Sequence, residues 1–377
     1  MKTLVITVNY KSAALTLAAV QSVLYSESLG PVHMVVVDNS EDEKEAAKLQ
    51  QGLPPEVSLL VSPKNMGFGC ACNLVFERFE GDLVLLLNPD ARLLPGCLTH
   101  LQTVLLSSNR IASVSPRVFW DDALRFQLPP SVPFVLFELQ SFFAVWGPRS
   151  PANRLLSAFW RRLCLEAWQA EKPIPVYNFS GGHVLLRRNA VTRAGGLFDP
   201  GFFLYFEDTD LSIRLKKAGF HLMMEPRAKA VHYVDQCGRD DWQRKRSLMA
   251  ESHARLLEKN GNHIQSGIRR AGNRVNALYP TSGGRPFRPD FTSPFELQVP
   301  QPLEKQWLFE LSPNENFIPS AGRFGTGAVT GLGRREWALL APGDYFGRLG
   351  SPVGLKQSPE TISVRIRKDV REPWMTR

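Results

Sequence analysis

Residues 202–220 read FFLYFEDTDLSIRLKKAGF. They set Glu207, Asp208 and Asp210 directly behind Phe202, Phe203, Tyr205 and Phe206. Aromatic side chains favour burial and ionised carboxylates resist it. Two readings fit. A helix N-terminus favours acids, and Asp208 stands where an N-cap would stand. Alternatively, adjacent carboxylates beside apolar rings have perturbed protonation, as a general base requires, which makes Glu207 and Asp208 catalytic candidates. Asp210 and Arg214 are spaced as a helix-surface ion pair.

Two more stretches carry chemistry. In LLLNPDARLLPG, residues 85–96, an apolar strand runs into Asn88-Pro89-Asp90. Pro89 lacks an N–H and restricts its predecessor, so it ends the strand and presents Asp90 at the sheet edge. The same three residues are also ordinary turn chemistry. In NMGFGCACN, residues 65–73, Gly-x-Gly lies between a strand and a helix, but Cys72 stands where a dinucleotide fingerprint has its third glycine. What remains is a glycine loop where backbone approaches a ligand. Cys70 and Cys72 form a C-x-C without a second pair at zinc spacing.

The elements that must position these residues alternate. Residues 3–9, 32–38, 56–62 and 82–88 are apolar runs expected to be strands buried on both faces, and 12–26, 41–51 and 68–79 have helical character, with Ser12 as an N-cap. This alternation predicts βαβ units and a parallel sheet, with ligands at the carboxyl ends of the strands. Those ends carry Asn9-Tyr10, Asp38-Asn39, Asn65 and Asn88-Pro89-Asp90. Residues 208–218 are predicted to be a helix closed by Gly219, and 242–259 a basic amphipathic helix. The segment 129–175 is dense in aromatic and basic residues. We expect an α/β catalytic domain over 1–260 with 129–175 as an insertion, a linker over 261–284 and a small, mostly-β domain over 285–377. Phe134, Phe137, Phe142, Phe143, Trp146, Phe159, Trp160 and Trp168, together with Arg149, Arg154, Arg161 and Arg162, are expected either to rest on an anionic membrane surface along with the basic helix, or to pack their aromatics against the catalytic domain or a second subunit with the arginines solvated.

The bulk properties agree with a globular chain. It has 377 residues, 44% apolar and 21% charged, enough for two domains and a large core. A net charge of +9 favours anionic partners. Nucleic acid is not among those expected, because the basic residues are scattered or tied to apolar faces and no known nucleic-acid module is present. The odd number of cysteines, five, reads as free thiols in a reducing, cytoplasmic compartment. MKTLVITVNYKS reads as a buried strand rather than a signal peptide, and no apolar window reaches the roughly 18 residues of a membrane span.

Taken in order, VITVNYKS, VVVDNS, NMGFGCACN, LLLNPDARL, FSGGHVLLRRNAVTRAGGLFDPGFFLYFEDTDLSIRLKKAGF and His232 resemble the inverting GT-A glycosyltransferases of family 2, in particular the rhamnosyltransferase-like branch that builds bacterial cell-surface polysaccharide. The resemblance runs through most of 1–235 and stops before about 260. It implies a GT-A fold, Rossmann-like and mostly parallel with flanking helices, ahead of the mostly-β appendage. It implies a nucleotide-diphosphate sugar donor, dTDP-rhamnose foremost with UDP- or GDP-sugars as alternatives. The implied acceptor is a glycan or lipid-linked hydroxyl, and the implied cofactor is Mg²⁺ or Mn²⁺.

Residue by residue, the resemblance places Asp38 on the nucleobase with Thr7, Val8, Asn9 and Tyr10 beside it. Asn39, Asn65, Gly67, Phe68, Asn73, Asn88, Gly181 and Gly182 line the nucleotide-sugar pocket. Asp90 and His232 hold the metal, and Asp208, with Glu207 beside it, is the base. The family's metal-binding Asp-x-Asp is Asn88-Pro89-Asp90 here, which leaves one strong ligand, and HYVDQCGRD departs from the family after His232. The incomplete metal motif and the long β appendage leave a catalytically weak member that binds nucleotide sugar or polysaccharide in an assembly as the alternative. A homodimer is compatible with either.

Overall fold

The computed structural model describes residues 1–143, 147, 150–237, 242–260, 289–353 and 361–369, without the side chains of Phe137, Ser141, Phe142, Trp242, Gln243 and Arg246. It divides into two compact units, Met1–Val118 with Ala170–Ser266, and Phe119–Gln169 with Gly267–Arg377. The first unit contains β1 (Thr3–Asn9), α1 (Ala13–Leu24), β2 (Val32–Asp38), α2 (Glu43–Gly52), β3 (Ser58–Val61), α3 (Phe68–Arg78), β4 (Leu83–Leu87), β5 (Ala91–Leu93), α4 (Cys97–Leu106) and all but the last residue of β6 (Ile111–Phe119). The chain then passes through α5 (Phe134–Phe143) and α6 (Pro151–Trp168) of the second unit. It returns to the first with β7 (Ile174–Pro175), β8 (His183–Arg187), α7 (Arg188–Arg193), α8 (Glu207–Lys217), β9 (His221–His232) and α9 (Trp242–Asn260).

The strands of the first unit form one mixed sheet in the order β3-β2-β1-β4-β8-β6-β9-β5, with β7 on β9. β3, β2, β1 and β4 run parallel, as the alternating elements predict, and β8 returns antiparallel to β4. Successive residues of a strand point to opposite faces. Val5, Val36 and Leu85 accordingly join the core on one face, and Leu4, Ile6, Val35 and Leu86 the core on the other. Both faces are covered, which is why these strands are continuous apolar runs. In the β1–β2 register Asn9 stands opposite Asp38, so the polar strand ends meet at one edge. Ser12 stands at the N-cap position of α1 but makes no side-chain cap; Glu45 Oε2 accepts from Ala13 N–H at 2.8 Å instead.

The second unit adds β10 (Asp290–Phe291), β11 (Phe295–Gln298), β12 (Trp307–Ser312), β13 (Ala321–Gly325), β14 (Val329–Leu332), α10 (Arg334–Leu339), β15 (Gly343–Gly350) and β16 (Ile362–Lys368). Its sheet runs β10-β16-β15-β12-β13, and β11 pairs with β14. The mostly-β character expected of this region is present. α6 belongs to the same body: Trp160, Cys164 and Trp168 share a core cluster with Leu308 and Ile318. Arg161 Nε donates to Glu310 Oε2 at 3.0 Å, and Arg348 binds both oxygens of the same carboxylate. Burial works to raise the Glu310 carboxyl, but the two guanidinium groups outweigh it and hold it below the usual range.

This burial corrects part of the membrane expectation. Trp160, Arg161 and Trp168 are core residues of the second unit and have no surface to offer a bilayer. Phe137, Phe142, Trp146 and Arg149 lie outside the described side chains. Val135, Leu139, Leu155 and Phe159 are exposed, as are Arg154 and Arg162. Among the described residues, no helix is long and apolar enough to cross a membrane.

Candidate active site

All the sequence-predicted site residues lie in the first unit. At the end of β1, Asn9 Nδ2 donates to Asp38 Oδ1 at 2.9 Å and to Ser40 Oγ at 3.0 Å, and Ser40 Oγ donates to the same Asp38 oxygen at 2.6 Å. Asn9 Oδ1 accepts from the Ser12 and Thr16 hydroxyls. Asp38 is fully buried, and each hydrogen bond to a buried charge contributes on the order of 1.5–3 kcal/mol, so this network fixes its orientation. Ser40, which sequence reasoning missed, is part of it. Thr7 and Val8 are buried within β1, and Tyr10 is half-buried beyond its end.

The glycine loop is braced to β2. Asn39 Nδ2 donates to Asn65 Oδ1 at 2.9 Å and Gly67 N–H donates to the same oxygen at 3.0 Å. Gly67 has φ +82°, and a Cβ there would stand 2.4 Å from the Phe203 carbonyl oxygen, so only glycine fits. Phe68 N–H donates to that same carbonyl. The loop is therefore sewn to the aromatic run that precedes the acids. Asn73 ties α3 to the segment ahead of the aromatic run: its amide donates to Phe198 O at 2.8 Å and accepts from Phe198 N–H at 2.9 Å.

The acidic stretch departs from its predicted form. α8 begins at Glu207, one residue early, and the cap position is occupied by Phe206 in the left-handed region without a side-chain cap. Asp208 is therefore in the first turn. Its Oδ2 accepts from Gly181 N–H at 3.0 Å, and its Oδ1 accepts from Thr209 N–H at 2.6 Å. Burial raises the Asp208 carboxyl above its usual range against these donors. Burial and then the Asp208 charge push Glu207 up to about 8. The Asp210–Arg214 pair forms at 2.8 Å as expected, but it is buried rather than on the surface, and Lys259 of α9 joins it.

The raised Glu207 has a consequence for stability. An acid bound more tightly in the folded state contributes stability that is present at low pH and is lost as pH rises toward its folded pKa. The wild-type Tm is expected to fall between roughly pH 5 and 8 on this account, given a folded value of about 8 against an ordinary 4.5. Glu207→Gln, which mimics the protonated acid, is expected to flatten that slope. Calorimetric scans across this pH range check it, and identical slopes in both proteins would remove Glu207 as the cause.

On the other side of the site, His232 Nε2 lies 3.2 Å from Asp90 Oδ1 and Gln236 N–H donates to Asp90 Oδ2 at 3.1 Å. Burial would raise Asp90, but the His232 ring and the Gln236 N–H outweigh it and keep the carboxyl below its usual range. Asn88 N–H donates to Gly182 O at 2.8 Å. A Cβ on Gly182 would come within 2.7 Å of the Asn88 amide and 3.3 Å of His232 Cε1. Gly181 and Gly182 thus join the two halves of the site: one donates to Asp208, and the other packs on Asn88 and His232. His183, the next residue, is buried with its ring 5.2 Å from that of His232 and with no hydrogen-bond partner at Nδ1. Burial and the His232 charge lower it to about 3. Sequence reasoning missed His183, although it completes the Ser-Gly-Gly-His run. It also missed Gln236, which carried no signal.

The donor set suits a hard divalent cation in part. Asp90 and His232 are adjacent, but among the described residues no three His, Cys, Asp or Glu side chains are grouped to hold a metal alone. Two protein ligands with the remainder from phosphate and water is a pattern Mg²⁺ accepts.

The glycosyl transferase family 2 profile matches residues 4–192. The chain belongs to glycosyl transferase family 2. It is a glycosyltransferase. The family 2 chain is 31% identical over 223 residues to the N-acetylglucosaminyl-diphospho-decaprenol L-rhamnosyltransferase of Mycobacterium tuberculosis, covering 56% of this chain and 69% of that one. It is 42% identical over 55 residues to the rhamnosyltransferase WbbL of Escherichia coli, covering 15% of this chain and 20% of that one. Among solved structures it superposes on the mannosyltransferase PcManGT of Pyrobaculum calidifontis, in complex with GDP-Man and Mn²⁺, with TM-score 0.46 and 15% identity over 75% of this chain and 76% of that one. That superposition is too loose to assign residues.

Proposed function

We propose that this family 2 enzyme transfers a sugar, rhamnose in the first instance, from a nucleotide-diphosphate donor to a hydroxyl of a glycan or lipid-linked acceptor, with inversion at the anomeric carbon. The observation that carries the reading is the Gly181–Gly182 junction, which attaches Asp208 on one side and packs against Asn88 and His232 on the other. One glycine pair thus touches both the proton acceptor and the residues beside the acidic cation site, an arrangement that serves displacement of a diphosphate by a hydroxyl. The similarity to two rhamnosyltransferases, one of them named for a lipid-linked acceptor, supports the sugar and the acceptor class.

In this reading Asp38, held by Asn9 and Ser40, contacts the nucleobase. The Asn39–Asn65–Gly67 brace shapes the floor under the donor, with Phe68 beside it. Asp208 accepts the acceptor proton as the hydroxyl oxygen bonds to the anomeric carbon, and the carbon–oxygen bond to the diphosphate breaks with its electron pair leaving on the diphosphate. Tyr205, Phe203 and Phe206 wall the reacting centre. Asp90 and His232 would hold the Mg²⁺ or Mn²⁺, which when bound neutralises charge on the leaving diphosphate. A thermal-shift screen of dTDP, UDP and GDP with and without Mn²⁺ tests the reading, because a ligand that binds the native state raises Tm. A metal-dependent shift with dTDP is expected; no shift with any of the three would contradict it.

The acceptor reading places the enzyme in the cytoplasm against the inner membrane face. The exposed Val135 and Leu139 of α5, and Leu155 and Phe159 of α6, with exposed Arg154 and with Arg162, which pairs with Glu166 at 2.9 Å, are the apolar and basic groups that support it. Each basic group contributes on the order of 1 kcal/mol near an anionic surface, reduced by salt. Co-sedimentation with phosphatidylserine vesicles is expected for the wild type and lost in a Leu155→Ser, Phe159→Ser double variant. Salt-insensitive recovery that is the same with neutral vesicles, or none with either, would exclude the membrane.

A further inference from the structure

Three basic side chains of α9, a helix expected to lie on a membrane, pair with acids of the first unit. Lys245 pairs with Asp235, Arg255 with Asp199, and Lys259 with both Asp199 and Asp210. These contacts fall beside two turns of the site that each hold two consecutive non-glycine residues at positive φ. Tyr205 and Phe206, immediately before Glu207, have φ of +71° and +65°; Val234 and Asp235, between His232 and Gln236, have φ of +54° and +57°. Consecutive non-glycine residues in the left-handed region persist only where their surroundings over-determine them. No glycine relieves either turn, so the restraint comes from hydrogen bonds and packing; in the second turn Gln236 Nε2 donates to the Tyr233 and Val234 carbonyls at 3.2 and 2.8 Å.

α9 adds contacts at both. Ser252 Oγ donates to the Leu204 carbonyl at 2.8 Å, and the His253 ring lies on the Phe206 ring with centroids 5.2 Å apart. Two helical turns earlier on the same face, Lys245 Nζ holds Asp235 and donates to the Cys237 carbonyl at 2.6 Å. One turn leads into Asp208, and the other contains the backbone that carries Gln236 N–H to Asp90.

We propose that α9 is a two-ended clamp that sets the spacing of the two halves of the site, with Ser252 and His253 as positioning residues for Asp208 and Lys245 as the positioning residue for Asp90. The inference rests on the proposed roles of Asp208 and Asp90. Its mechanical part is independent of them.

The test compares His253→Ala, His253→Phe and Lys245→Met in the full-length protein. Ligand-free amide exchange is read over 203–209 and 233–237. Affinity is read for dTDP with Mn²⁺, and turnover with dTDP-rhamnose and N-acetylglucosaminyl-diphospho-decaprenol. His253→Ala is expected to speed exchange over 203–209 alone and to lower kcat about tenfold, with the Mn²⁺-dTDP affinity unmoved. His253→Phe, which keeps the ring contact, is expected to restore most of kcat. Lys245→Met is expected to speed exchange over 233–237 alone and to weaken Mn²⁺-dTDP binding about tenfold. Equal loosening of both segments in both variants, accompanied by the same fall in Tm, means ordinary packing and overturns the clamp. Unchanged exchange in both segments does so too. A wild type that transfers no sugar would count against the proposed function, while the exchange pattern would still decide the clamp.

Discussion

Asp208→Asn is expected to lose transfer by about 10²–10⁴-fold while keeping nucleotide affinity and fold, because a positioned general base contributes on that scale. The geometry makes this substitution clean. The Asp208 side chain accepts two backbone hydrogen bonds, from Gly181 and Thr209. An asparagine carbonyl oxygen can keep one of them, so the turn that joins the two halves of the site is retained. What is lost is the capacity to take a proton. The acceptor hydroxyl is a poor nucleophile at neutral pH unless that proton leaves as the new bond forms. Steady-state turnover and a dTDP titration with Mn²⁺ on the same preparation separate the two effects. Residual turnover above roughly a tenth of the wild type would place the base elsewhere.

Asp90→Ala is expected to abolish turnover and the metal-dependent part of nucleotide binding. Asp90 is the only carboxylate in the Asn88-Pro89-Asp90 turn, and its two oxygens meet the His232 ring and the Gln236 N–H. Removing it also strands the buried Gln236 N–H, which costs about 1–3 kcal/mol, so a lower Tm is expected alongside. Asp90→Asn keeps an acceptor for that N–H and separates charge from structure: it should recover most of the Tm and none of the metal effect. Calorimetric titrations with dTDP, with and without Mn²⁺, check this. A metal effect unchanged in Asp90→Ala would leave His232 as the principal ligand.

The first half of the sheet was legible because a strand buried on both faces must be apolar throughout. Residues 3–9 and 32–38 matched β1 and β2 residue for residue. The polar ends of those strands marked the site edge for the same reason: Asn9 and Asp38 break the apolar runs where the register sets them opposite each other. The start of α8 differs from the expected one because capping statistics favour Asp208, whereas Phe206 occupies the cap in the left-handed region, in ring contact with His253 of α9, 47 residues away in sequence. Trp160 and Trp168 were misread for a related reason. An aromatic and basic helix looks alike whether it packs in a core or meets a membrane, and what decides it here is the long-range Arg161–Glu310–Arg348 contact. The basic face of α9 likewise read as a membrane surface because its partners Asp199, Asp210 and Asp235 lie outside the helix.

The most direct measurement of the central claim is the anomeric configuration of the product. The wild-type enzyme is incubated with dTDP-rhamnose, N-acetylglucosaminyl-diphospho-decaprenol and Mn²⁺, and the new glycosidic linkage is read by NMR. A single displacement assisted by Asp208 predicts a configuration opposite to that of the donor. A product that retains the donor's configuration would contradict it.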